Sequence, residues 1–311
     1  MLNVFLLIFG FILLIKGADA FVNGASSVAK KIGVPSVVIG MTIVAIGTSL
    51  PEAIVSINSS LAGMNDMSIA NVVGSNIFNI LVGIGVSAFV SNLKISNYKD
   101  VFTLLGVSTL LLLSVIDGNL SFLNGIVLLL VFAYFIYNMI KGAKNNKEEV
   151  EEQSNKPLWL TIILGILGLG AVVWGGDLVV NSASAIAMQL GMSENLVGLT
   201  IVAVGTSLPE FVTSVIATKK GELDMAVGNI LGSNIFNILL ILGCASVINP
   251  MVVSTVALMD VLFMVISVVL FVLVTYKNKT VSNFFSEEKV MIIDRRKMKF
   301  SISSLDFFLH F

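Results

Sequence analysis

An all-α polytopic membrane protein made of two inverted repeats is the fold this sequence predicts, and three observations carry the prediction. Of the 311 residues 56% are hydrophobic and only 12% charged, with a mean hydropathy of +0.99, far less charge than a soluble domain carries. The apolar residues fall in runs long enough to cross a bilayer, which takes roughly 20 helical residues. A long segment also recurs at an offset of 158 residues: GTSLPE at Gly47 to Glu52 and Gly205 to Glu210, GSNIFNIL at Gly74 to Leu81 and Gly232 to Leu239.

The first half holds candidate spans at 2–21, 37–61, 68–90, 101–116 and 122–140, and the second at 158–180, 196–218, 225–248 and 252–276, nine in all. They are continuously apolar, whereas barrel strands would alternate polar and apolar residues, so a barrel is excluded. The first run lacks the basic start of a signal peptide. Its Gly17-Ala18-Asp19 is echoed by Gly175-Gly176-Asp177 at the same offset, which marks it as a retained helix. Residues 1–140 thus form one membrane half, 141–157 a charged linker expected to be a solvated cytoplasmic loop, and 158–276 the second half. Five spans before the linker put the second half into the membrane upside down, an organisation typical of secondary transporters.

Lysines set the orientation, because basic residues of short loops stay in the cytoplasm. With the N-terminus outside, Lys30, Lys31, Lys94, Lys99, Lys141, Lys144, Lys147, Lys156, Lys219, Lys220, Lys277 and Lys279 all fall on the inner side. The loops after the second, fourth, sixth and eighth spans hold none.

The chemistry is concentrated in the repeated motifs. Pro51 has no N–H and frees the carbonyl of Gly47, so it bends the second span beside Glu52; Pro209 and Glu210 repeat the arrangement. Freed carbonyls inside a membrane are tolerated only against protein or a hydrated cavity. Thr48 lies four residues before Glu52 and Ala45 three before Thr48, so all three are expected to project from one face, and Pro209 and Glu210 repeat the arrangement with Ala203, Thr206 and Ser207. One midplane carboxylate costs on the order of 2.5–3.5 kcal/mol and could be an accident of packing; two related by a repeat are expected to form an ion site. Asp19, Asp177, Asp100 and Asp260 lie nearer the predicted helix ends, where interfacial or capping roles are expected.

In the second motif Ser75 and Asn79, repeated as Ser233 and Asn237, are neutral oxygen donors, with Asn76 and Asn234 about 100° around the helix. Small residues four apart, Ala70 with Gly74 and Gly228 with Gly232, suit close helix packing, which does not explain the asparagines. The single Cys244 and single His310 exclude a disulfide framework, a thiolate zinc site and a hydrolase triad. No enzyme activity and no cofactor are expected, and nothing points to a nucleic-acid partner; the implied partners are the bilayer and a cation. Two carboxylates with hydroxyl, amide and carbonyl oxygens form a hard-cation site suited to Ca²⁺ or Na⁺. Either one Ca²⁺ or two Na⁺ balances the two charges, so binding one excludes the other, which is the electrostatic basis of exchange.

At these residues the chain resembles the sodium/calcium exchangers of the calcium/cation antiporter superfamily, particularly prokaryotic members with paired GTSLPE and GSNIFN motifs, over about residues 1–276. The resemblance implies Na⁺/Ca²⁺ antiport in a prokaryotic plasma membrane, with five helices per half and the first and sixth sliding to alternate access. It implies that Glu52 and Glu210 are ligands shared by both ions and that Thr48 and Thr206 add oxygens to the calcium site. Ser49, Ser207, Ser75 and Ser233, with the carbonyls of Ala45 and Ala203, would complete flanking sodium sites, and Asn79 and Asn237 line the middle. Some relatives carry aspartate where Asn237 stands, so the sodium-to-calcium ratio stays open. A tenth helix is expected near 281–300, yet that stretch carries too many charges to span, so the tail 277–311 reads as altered relative to the family. A calcium/proton antiporter, a potassium-dependent exchanger and, from another class, a passive channel or non-transporting scaffold remain alternatives.

Overall fold

The computed structural model describes residues 2–91, 93, 95, 97–145 and 157–278. Its elements in chain order are α1 (Leu2–Ile32), the pair α2 (Ser36–Thr48) and α3 (Leu50–Leu61), α4 (Asn65–Val90), α5 (Tyr98–Val115), β1 (Asn119–Leu120) and α6 (Phe122–Asn145). The second half follows with α7 (Leu158–Gln189), α8 (194–205), α9 (Leu208–Lys219), α10 (Leu223–Ile248), β2 (Met251–Val252) and α11 (Thr255–Asn278).

Seven unbroken helices among the described residues are long and apolar enough to cross a membrane, and α2 with α3 makes an eighth span bent by 51°. The ninth expected span is the counterpart pair α8 and α9, each piece too short to cross alone. The repeat extends to the backbone: π-helical turns at Gly40–Val44 and Asn79–Gly83 recur at Gly198–Val202 and Asn237–Leu242. Such turns are rare and frequent at functional sites.

The inversion is visible where equivalent helices touch. A Cβ added at Gly17 would lie 2.8 Å from the Gly168 carbonyl, one at Gly24 2.7 Å from Gly165 and one at Gly10 3.0 Å from the Gly175 carbonyl. As the α1 numbers rise the α7 numbers fall, so the two helices run antiparallel, and only glycine lets their backbones come so close.

The other helices form the core. Apolar side chains of α4, α5, α6, α10 and α11 make one continuous cluster, and α10 lies deepest, with 83% of its membrane window buried against 56% for α4. Large apolar side chains such as Leu123, Trp159 and Val256 stay exposed, as helices facing lipid require.

Polar contacts tie the helices together at both ends of the bundle. Lys30 pairs with Glu222 at 3.4 Å and Lys220 with Asp19 at 2.7 Å, while Tyr98 donates to the Thr275 carbonyl at 2.8 Å. At the opposite end β1 pairs antiparallel with β2, and the Ser254 amide donates to Asp66 at 3.3 Å.

Several sequence expectations change. Helices α1 and α7 run on to Ile32 and Gln189, well past the ends drawn from hydropathy. Asp19 and Asp177 are therefore helix-interior residues, the first ion-paired and the second facing a cavity. Asp100 is in the first turn of α5, near its expected place, but is buried. The expected linker is helical up to Asn145; its remainder before Pro157 and the tail beyond Asn278 lie outside the described residues. Close packing at the small residues holds in one half only. A Cβ at Gly232 would meet Met41 Cα at 2.5 Å and one at Gly228 the Val37 carbonyl at 2.6 Å, but nothing lies within 4 Å of one at Gly74.

Candidate ion-binding site

The break in each repeat falls at a serine. Ser49 has φ −83° and ψ 8°, and Ser207 has φ −86° and ψ 2°, outside the helical region, and a new helix starts at the next residue with proline in its first turn. Proline is at home there, because the first N–H groups of a helix have no internal partner. Glu52 and Glu210 thus occupy first turns, where the positive end of the helix dipole favours a carboxylate. This corrects the single-face expectation: Thr48 and Glu52 belong to different helical pieces, and the bend between them sets their relation.

Each broken turn serves the acid of the other half. Ser49 Oγ donates to Glu210 Oε1 at 2.8 Å and Ser207 Oγ donates to Glu52 Oε1 at 3.1 Å, with a longer contact from Ser75 Oγ to Glu52 Oε1 at 3.4 Å. Thr48 Oγ1 reaches Asn229 Oδ1 at 3.2 Å and Thr206 Oγ1 reaches Asn71 Oδ1 at 3.5 Å. Glu52, Glu210, Thr48, Ser49, Ser207, Ser233 and Asn237 are all fully buried, and Ser75, Asn79 and Thr206 nearly so. Glu52 is no interfacial acid.

Asn71 and Asn229 escaped the sequence reading. Asn71 Nδ2 donates to the Glu52 carbonyl at 3.3 Å and to Ser56 Oγ at 2.8 Å; Asn229 Nδ2 donates to the Glu210 carbonyl at 3.2 Å and to Ser214 Oγ at 2.9 Å. They brace the turns that carry the acids. The signal was present, because Asn71 and Asn229, like Ser56 and Ser214, are identical at the 158-residue offset.

The middle of the site is amide. Asn237 Nδ2 donates to Asn76 Oδ1 at 3.1 Å and Asn76 Nδ2 donates to the Asn234 carbonyl at 3.1 Å. The π-turn opening at Asn237 packs on α3, which carries Glu52, and the one opening at Asn79 packs on α9, which carries Glu210. Glu52 Oε2, Glu210 Oε2, both polar atoms of Asn79 and Asn237 Oδ1 have no hydrogen-bond partner. A buried polar atom left unpaired costs about 1–3 kcal/mol, so a cluster of unpaired oxygens beside two buried carboxylates suits a cation.

The half-sites are not equally closed. Ser233 Oγ approaches the Ala45 carbonyl at 3.5 Å, and that carbonyl also accepts from Ser49 N at 3.1 Å. Ala45 is buried. Its counterpart Ala203 is exposed; the Ala203 carbonyl accepts from Thr206 Oγ1 at 3.4 Å, while Ser75 turns to Glu52 instead. A cavity of about 770 Å³ opens on this side, between α3, α7, α8 and the start of α9, lined by residues including Leu50, Pro51, Trp174, Asp177, Thr206 and Pro209.

The chain matches the family described as sodium/calcium exchanger protein over residues 2–141 and 160–302. It is 32% identical over 304 residues to the sodium/calcium exchanger MaX1 of Methanosarcina acetivorans, covering 82% of this chain and 86% of that one. It is 36% identical over 266 residues to the inner membrane protein YrbG of Escherichia coli, covering 79% of each. Its fold superposes on the sodium-calcium exchanger NCX_Mj, in a form soaked with Na⁺ and no Ca²⁺, with a TM-score of 0.81 and 34% identity over 91% of this chain and 94% of that one.

Proposed function

The chain belongs to the sodium/calcium exchanger protein family, integral multi-pass membrane antiporters rather than enzymes, and from that premise we propose that it exchanges Na⁺ for Ca²⁺ at a site centred on Glu52 and Glu210. The observation that carries the reading is the crossed pair of bonds from Ser49 to Glu210 and from Ser207 to Glu52, each acid keeping its second oxygen unpaired. Neither half alone supplies a charge-balanced pocket for a divalent ion.

In this reading Ca²⁺ binds between the two carboxylates with oxygens from Thr48 and Thr206. Na⁺ uses the same carboxylates together with Ser49, Ser207, Ser75, Ser233 and the carbonyls of Ala45 and Ala203, while Asn79 and Asn237 line the centre. Calcium accepts six to eight oxygens in flexible geometry, which a site of hydroxyls, amides and carbonyls can supply. One Ca²⁺ or two Na⁺ neutralise the same two charges, so the ions compete, and competition at one site reached alternately from two sides is antiport. The names of MaX1 and NCX_Mj favour Na⁺ as the counter-ion.

The one-sided lysines favour an N-terminus outside and a cytoplasmic linker. The open cavity beside α3 and α8 is then external, and the glycine-packed contact of α10 on α2 closes the internal side. The function is tested by radiolabelled Ca²⁺ uptake into vesicles loaded with Na⁺, K⁺, Li⁺ or protons. Uptake driven by an outward Na⁺ gradient alone is expected; uptake that follows a proton gradient or requires K⁺ would move the chain to another branch, and uptake without any counter-ion gradient would make it a channel.

A further inference from the structure

The repeat places Asn76 opposite Asn234 and Asn237 opposite Asn79, yet only one of the two possible asparagine chains is formed. In the formed chain Asn76 is held by its own donation to the Asn234 carbonyl and takes the Asn237 amide N–H at 3.1 Å each. Its Nδ2 also lies 3.6 Å from Met264 Sδ on α11. In the matching chain nothing is made: both side-chain polar atoms of Asn234 and both of Asn79 are unpartnered, although Asn234 is fully buried and Asn79 is 1% exposed.

We propose that Asn76 is a positioning residue for cation binding: by engaging the nitrogen of Asn237 it leaves only the carbonyl oxygen of that side chain free for the ion. An unrestrained amide can turn either end to a ligand, and only the oxygen end can hold a cation. The bond joins the halves, since Asn76 is on α4 and Asn237 on α10, so it also depends on how the halves are seated. The formed chain ends on Asn237, in α10, the helix packed tightly on α2; the unformed chain ends on Asn79, in α4, whose Gly74 packs on nothing. Asn234 is accordingly placed to orient Asn79 once that second side closes, so that the oxygen presented by each central asparagine changes with the side that is open.

The inference rests on the exchanger reading. It is tested on the full-length protein in detergent by titrating Ca²⁺ alone and Na⁺ alone and following ion-induced thermal stabilisation. Asn76→Ala should weaken apparent Ca²⁺ binding about tenfold, the loss of one oriented ligand, and Asn237→Ala similarly. The double variant should bind no worse than Asn237→Ala, because Asn76 acts only through Asn237, and Asn234→Ala should weaken binding less than Asn76→Ala. Asn76→Ser, too short to reach the Asn237 amide, replaces the alanine variant if that one fails to fold. A double variant whose loss is the product of the single losses, or an Asn76 variant that lowers the melting temperature while binding Ca²⁺ normally, overturns the proposal. In either case a wild-type chain that still binds and exchanges ions leaves the exchanger reading standing; a wild-type chain that binds neither ion removes both.

Discussion

Ser49 Oγ donates to Glu210 Oε1 at 2.8 Å across 161 residues of sequence, so the residue that breaks the helix of one half holds the acid of the other. The reciprocal bond from Ser207 to Glu52 at 3.1 Å makes the two breaks and the two acids one structural unit.

Glu52→Gln and Glu210→Gln should each reduce Na⁺-driven Ca²⁺ uptake about 100-fold or more. Each leaves one negative charge against a divalent ion in a buried site, where an uncompensated charge costs about 3–5 kcal/mol. Uptake assays on purified, reconstituted variants check this, and near-normal transport by either would place the ion elsewhere.

Ser49→Ala and Ser207→Ala should weaken apparent ion affinity by about 10- to 100-fold, from loss of a hydrogen bond to a charged group worth about 1.5–3 kcal/mol. Ser49 should show the larger effect, because its bond is the shorter and Glu52 keeps Ser75 as a second donor. Competition of Na⁺ with Ca²⁺ for binding reads the order directly.

Gly232→Ala should lower thermal stability, since its Cβ would sit 2.5 Å from the Met41 backbone, whereas Gly74→Ala should leave it unchanged. Transport separates them further. If the two sides close alternately, Gly74 takes up the close packing in the opposite state, so a bulky Gly74→Leu should bind ions yet fail to exchange them. Full exchange by Gly74→Leu would show that α4 never closes as α10 does.

Asn229→Ala should destabilise the protein by about 1–3 kcal/mol by stranding the Ser214 hydroxyl and the Glu210 carbonyl. Asn71→Ala should cost less, because Asn71 is only partly buried and water can replace it. Detergent-phase melting curves measure both.

The apolar runs, the repeat, and the two glutamates in broken turns were legible because membrane burial leaves few reasons to keep an acid and a proline together twice. Helix ends were less legible: α1 and α7 continue past their apolar stretches because their later turns still have buried faces, Val22, Ala25 and Ala29 of α1 joining a cluster with Ala217 of α9 and Met225 of α10, and Ser182 and Ala187 of α7 being buried as well. Asn71 and Asn229 were overlooked although the repeat contains them, because an amide three residues before the GSNIFN motif gives no sign of which carbonyl it will brace. Ala45 is buried and Ala203 exposed, a difference that two identical residues in matching motifs gave no reason to expect.

By itself the sequence determined that this is a membrane protein of two inverted halves with one acid in each, because hydropathy, lysine placement and an offset repeat are local properties of the chain. Only the tertiary structure decided that each serine serves the opposite acid, that one asparagine chain forms while its twin does not, and that one side is packed while the other is open. Two nearly identical motifs have the same local preferences; their inequality comes from the packing of whole helices, where Gly232 meets Met41 and Gly74 meets nothing, and no local stretch of sequence encodes which of two equivalent contacts is made.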